Sequence, residues 1–141
     1  MKYVFPTEQS KRYRFPTHIN DLVMDRAQAS ASEVFIVVIS PGGAPPLHQH
    51  EDTEQIFYIL EGRGRLEIGG EEEDFGVAPG DVVRIPPATL HAIHCIGPED
   101  LRYLAIDCFP GGRPGAEPTW EAHVRAVCQE QGWNFDDVLE T

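Results

Sequence analysis

The sequence predicts an all-β domain, a sandwich or small barrel, finished by one short C-terminal helix. Short β-branched and aromatic runs recur from residue 33 onward: "EVFIVVIS", "QIFYILEG", "GRLEIGG", "DVVRIPP", "LHAIHCI" and "LRYLAIDCF". Gly, Pro and Asp punctuate them at roughly 8–12 residue intervals, the spacing of strands in a sandwich or barrel. Only after residue 117 does the apolar period change from that of a strand to that of a helix.

Taken in order, residues 1–30 read as a mixed N-terminal arm. It carries two "FPT" stretches ten residues apart, too few to make a repeat architecture. The barrel core spans about residues 33–109. Within it, Gln55, Phe57 and Ile59 fall on one face of a strand and Ile56, Tyr58 and Leu60 on the other. Apolar residues on both faces predict that the second face is covered by another sheet, a terminal segment or a second subunit, and a homodimer is expected. In "PTWEAHVRAVCQEQG", Trp120, Val124, Val127 and Cys128 recur at helical spacing and Gly132 is a stop signal. A helix is expected over 118–131 in a tail of 118–141, with Trp133, Phe135, Val138 and Leu139 folding back onto the barrel.

The 141 residues suffice for one domain with its own core. The formal charge of −12 is unevenly placed: residues 1–26 hold five basic and three acidic side chains, the remainder 6 basic and 20 acidic. An acidic body argues against nucleic acid and anionic membrane as partners, and the basic arm is expected to attract the acidic tail. The odd, widely spaced Cys95, Cys108 and Cys128 read as reduced thiols. With no signal-like or membrane-length segment, a cytoplasmic protein is expected.

The chemistry sits in "PPLHQHEDTEQIFYILEGRG". Residues i and i+2 of an extended chain share a face, so His48 and His50 aim two imidazoles at one spot. Gln55 follows, where a carboxylate would be the ordinary third donor. A third imidazole, His91, opens a strand about 40 residues on, after Pro86-Pro87. Ligand-type residues at such spacing point to one metal site.

These two stretches resemble the paired motifs of the cupin superfamily. In the first, Gly42, His48, His50, Gln55 and Gly62 match, with Gln in the usual Glu place; in the second, Gly80, Pro86, Ala88, His91 and Cys95 stand at the motif positions, Ala88 and Cys95 replacing the usual Gly and Asn. The resemblance implies a small one-domain cupin, a double-stranded β-helix or jelly-roll barrel. It further implies that His48, His50, Gln55 and His91 bind one divalent transition metal: Zn, Ni, Fe, Mn, Co or Cu. Three imidazoles and a neutral amide leave such an ion its full charge, which favours a carbonyl, enol or carboxylate ligand. Relatives with this His-x-His…Gln pattern include cupins acting on uronate sugars, and other one-domain cupins close polyketide rings. The expected function is therefore that of a metal-dependent enzyme on a small oxygenated substrate, an isomerase, tautomerase or cyclase. A dioxygenase, a non-catalytic binding or sensing module, and a barrel that has lost its metal and serves mainly in dimerisation are the alternatives.

Among the other residues, Asp107, Tyr103 and Glu33 are candidate acids or bases on strands whose inward face the sequence leaves open. His94 lies opposite His91 and reads as a surface or interface residue. His18 and His123 read as structural, and Cys95 as a buried inert thiol.

Overall fold

The computed structural model describes residues 1–140. Nine strands form two antiparallel sheets: β1 Lys11–Arg14, β2 Ile19–Met24, β3 Ser32–Ile39, β4 Glu54–Glu61, β5 Gly64–Ile68, β6 Phe75–Val77, β7 Val82–Ile85, β8 His91–Cys95 and β9 Leu101–Cys108. The larger sheet runs β1-β2-β3-β9-β4-β7, the smaller β6-β5-β8. The loop after β3 lies along β8, bonded from Gly42 and Gly43 to Cys95 and from His48 to His91, and so widens the smaller sheet. The expected jelly-roll barrel is thereby formed.

Alternation along each strand decides what enters the barrel. In β9, Leu101, Tyr103, Ala105 and Asp107 are buried while their neighbours are half-buried. Register then sets side chains in rows across the inner face. Glu33, Asp107 and Gln55 make one row, continued by Ile85. Phe35, Ala105, Phe57 and Val83 make the next, and Asn20, Val37, Tyr103 and Ile59 the one beyond. A polar row thus lies at one end of an apolar core.

One expectation changes. The supposed arm of residues 1–30 contributes the hairpin β1–β2, which adds to β3 as part of the sheet. The adjacent polar pair Asn20-Asp21 hides the alternation, and both side chains are buried, Asp21 taking a two-pronged bond from Arg12 at 2.7 and 2.9 Å. Within the single chain the second face of β4 is left partly open: Gln55, Phe57 and Ile59 point inward, while Tyr58 is exposed and Ile56 and Leu60 are half-buried.

Helix α1, Trp120–Gln131, matches the expected span within two residues. Thr119 caps it by accepting from the Ala122 N–H, and Gly132 ends it at φ 75°, a conformation that suits glycine. Trp120, Val124 and Cys128, one turn apart, are its buried stripe. A short turn of helix, α2 Phe135–Val138, folds back as expected. Arm and tail do meet, within one chain: Leu139 pairs with Tyr13, and Arg14 donates to Glu140 at 2.9 Å, beyond the helix itself. The last residue of the expected tail, Thr141, lies outside the described residues. Among these, no helix is long and apolar enough to cross a membrane.

Candidate metal centre and its cavity

A cavity of about 640 Å³ opens into the barrel, and His48, His50, Gln55 and His91 all line it. The His48 ring centre lies 4.9 Å from that of His50 and 4.4 Å from that of His91, with His50 and His91 6.4 Å apart. Short-range structure holds this group together. The backbone of His48 exchanges two hydrogen bonds with His91, and the Ala88 N–H donates to the His50 carbonyl at 2.7 Å. Ala88 sits at φ 57°, which shows why glycine is usual at that motif position.

The ring nitrogens are assigned by their partners. His48 Nδ1 lies 2.7 Å from the Pro46 carbonyl and His91 Nδ1 2.9 Å from that of Thr89. A carbonyl only accepts, so each Nδ1 carries the hydrogen and each Nε2 keeps its lone pair. That is the outer bond which typically orients a metal-ligating imidazole. Neither the buried His91 Nε2 nor the buried Gln55 Oε1 has a hydrogen-bond partner among the described residues. Among the described residues, no group of three or more His, Cys, Asp or Glu side chains is drawn together in metal-binding geometry. The donor chemistry nevertheless fits a divalent transition metal: neutral imidazoles, an amide oxygen and two buried donor atoms in need of a partner.

Burial and their mutual repulsion keep these rings uncharged. Desolvation pushes His50 down to about 3 and His91 to about 4, and it lowers His48 as well. His18, half-buried on the same wall, is also pushed down by desolvation to about 3. A stability dependence follows. Below pH 6.5 the unfolded histidines take protons that the folded ones refuse, so folding stability is lost as pH falls from 6.5 towards 3–4. Asp107, whose carboxyl is raised, has the opposite sign but is one group against four. Urea midpoints of metal-stripped protein should drop steadily between pH 7 and 4.5; a flat profile would refute the desolvated neutral histidines.

Behind Gln55 stands the polar row. Gln55 Nε2 donates to Asp107 Oδ1 at 2.8 Å, which turns its carbonyl oxygen away from Asp107. Burial, then the neighbouring Glu33, raise the Asp107 carboxyl well above its ordinary range, so it keeps its proton and shares it with Glu33. Burial opposes a charge on Glu33 too, but the bonds from Asp107 and Arg26 outweigh it and hold its carboxyl low. Arg26 grips Glu33 with two bonds of 2.7 and 2.8 Å. This arrangement gives the glutamine a local reason: a glutamate there would lose the N–H bond and set a third acid in a pocket with one arginine. Gln55→Glu is expected to lower the stability of the metal-free protein by about 1–3 kcal/mol, read from urea unfolding. An unchanged midpoint would remove that account.

Of the candidate acids and bases, Asp107 and Tyr103 line the cavity, and Glu33 is buried behind it. Burial raises the Tyr103 hydroxyl far above its ordinary value. His94 stands apart, 3.2 Å from Glu67, and Cys95 is buried with its thiol donating to the Glu99 carbonyl, both in keeping with the sequence reading. His18 and His123, read as structural, instead line the cavity. The His123 ring is 6.1 Å from that of His50, and its Nδ1 meets Glu117 Oε1 at 2.6 Å. Asn20, Arg26 and Trp120 also reach the wall and had not been singled out for it. Trp120 at the start of a helix gave a packing signal only, and nothing near Asn20 marked it.

Fold and site together define a cupin. Residues 35–107 match the Cupin_2 family, described as a cupin domain, and the chain belongs to that family. An uncharacterized protein of Methanocaldococcus jannaschii is 42% identical over 73 residues, 52% of this chain, which spans 57% of that relative's length. A predicted oxalate decarboxylase from Thermotoga maritima superposes with a TM-score of 0.68 at 23% identity, covering 76% of this chain and 99% of that one. The polyketide cyclase RemF from Streptomyces resistomycificus gives 0.67 at 24% identity, over 82% and 86% of the two chains. At such identities the structural likeness shows the fold alone.

Proposed function

We infer that this protein is a metal-dependent cupin enzyme, with one divalent transition metal held by His48, His50, Gln55 and His91. Its substrate is a small oxygenated compound bound through a carbonyl, enol or carboxylate oxygen, and its reaction an isomerisation, tautomerisation or cyclisation. The bound ion would supply Lewis-acid polarisation of that oxygen. The observation that carries an enzyme rather than a binding module is the His123–Glu117 pair on the cavity wall. Glu117 accepts from Nδ1, so in the neutral ring His123 Nε2 carries the lone pair that a general base requires. Asn20, His18 and the apolar walls orient the ligand, while α1 shields it from water. The three free cysteines suit the reducing cytoplasm.

The test is exchange of the α-protons of an enolisable 1,3-diketone into D2O, followed by proton NMR on metal-reconstituted protein. His123→Gln should slow exchange about 10²-fold or more at unchanged metal content. Metal uptake with no turnover of carbonyl or enol compounds, under air or nitrogen, would favour the binding module instead.

A homodimer is part of the same reading. Tyr58 and Val82 are cross-strand partners on the outer face beside edge strand β7, both exposed. An apolar patch at a sheet edge suits a second copy. Light scattering should give twice the 15.7 kDa protomer mass, and Val82→Glu should halve it; a wild-type monomer would end the idea.

A further inference from the structure

Two unpartnered polar groups remain in the cavity wall after the metal centre is accounted for. Asn20 Oδ1, on β2, and Trp120 Nε1, at the start of α1, are buried without hydrogen-bond partners among the described residues. Asn20 is 9% exposed and Trp120 1%, and both line the cavity. They belong to one region of it. Tyr13, opposite Asn20 in register, has its ring 6.0 Å from that of Trp120. Asn20 lies two rows from Gln55 along the barrel, away from the metal centre, while the Trp120 ring is 5.7 Å from that of His123.

An indole N–H only donates and an amide oxygen only accepts. Each carries the desolvation penalty of a buried unmet group unless a ligand meets it. A hydroxyl is the smallest group able to answer both, accepting from one and donating to the other. The surrounding wall is apolar and aromatic: Phe15, Phe35, Phe57, Val37 and Val124. A saccharide with a hydroxyl on nearly every carbon would bury most of them against hydrocarbon. A flat ring compound would instead lie against the aromatic wall of Phe35 and Trp120, whose rings pack 4.8 Å apart at 46°.

We propose that Asn20 and Trp120 form a hydroxyl-recognising subsite, and that the ligand is a flat, mostly apolar ring compound with a hydroxyl remote from the oxygen taken by the metal centre. The inference deepens the proposed function, resting on it for the placement of the second oxygen. A site built to bond a hydroxyl rejects the analogue that lacks it far more strongly than an apolar pocket rejects an added group.

The experiment uses two matched probe pairs, 4-hydroxyacetophenone against acetophenone and 2-acetyl-6-hydroxynaphthalene against 2-acetylnaphthalene, by calorimetry on full-length protein. In at least one pair the hydroxylated member should bind tenfold tighter or more, and Trp120→Phe or Asn20→Leu should cut that ratio to within twofold. The two substitutions lie on different elements, so one misfolded variant leaves the other. In ¹⁵N-labelled wild type, the Trp120 Nε1–H signal should move with the hydroxylated probe and stay with its parent, independently of any variant's folding. Equal affinities within both pairs, no binding at all, or an unmoved indole signal would overturn the subsite. The His48→Ala/His91→Ala variant separates the two readings: preference for the hydroxyl retained there, with no proton exchange in the metal-loaded wild type, would sink the enzyme and keep the subsite.

Discussion

Protein purified without chelators or added metal should carry about one equivalent of a transition metal per chain, and the His48→Ala/His91→Ala variant less than about a tenth of that. The expectation rests on which donor atoms their neighbours leave free. Backbone carbonyls of Pro46 and Thr89 hold the two Nδ1 hydrogens, so the opposite nitrogens are available as lone pairs. Asp107 holds the Gln55 amide nitrogen, so its oxygen is the free end. Asp107→Ala should therefore weaken metal binding about 10- to 100-fold without touching a ligand, the usual effect of losing an outer-shell partner. Elemental analysis and a competitive chelator titration read both effects. Failure to take up Zn, Ni, Mn or Fe(II) at neutral pH would mean that these imidazoles and the amide hold no metal.

The largest effect on stability is expected from Arg26. Its guanidinium is 3% exposed and its partner Glu33 wholly buried, joined by two bonds. The same side chain donates to the Glu117 carbonyl at 3.0 Å and lies over the Phe109 ring. It thus ties the turn after β2 to β3, to the end of β9 and to the approach of α1. Arg26→Ala leaves an uncompensated buried carboxylate and should cost about 3–5 kcal/mol, a fall of roughly 10–17 °C in melting temperature for a chain of this size. Arg26→Lys should recover only part of this, because an ammonium cannot make the paired fork. Replacing both partners together, as Arg26→Met/Glu33→Leu, should cost far less than Arg26→Ala alone. Urea unfolding of the three variants decides the matter: a loss under about 1 kcal/mol in Arg26→Ala would show that the pair behaves like a surface bridge.

The candidate ligands were legible because their information is local. His48 and His50 share a face by simple alternation, and His91 opens a strand signalled by prolines and a turn. The strands of the core and α1 were legible for the same reason. What stayed hidden depends on register between distant strands. Glu33, Asp107 and Gln55 form one row only because β3, β9 and β4 pair as they do, and Gln55 and Asp107 are 52 residues apart. A slip of one residue would send Asp107 outward, and no local pattern forbids that slip. Asn20-Asp21 broke the alternation that would have revealed β2, one residue serving the cavity and the other an ion pair. His18 and His123 each looked ordinary on its own element, since a wall is assembled from pieces that carry no mark of it.

The segment matched by the family stops at residues 35 and 107, yet His18, Asn20, Arg26, Trp120 and His123 all lie outside it and all line the cavity. The vessel and its contents are therefore written in different parts of the chain. The middle supplies a barrel with its ion-holding donors, while the two ends supply much of the lining that a guest would touch. Such a division makes the ends interchangeable parts: transplanting residues 1–30 and 110–140 onto another barrel of this kind should carry guest preference with them and leave the host's ion where it was.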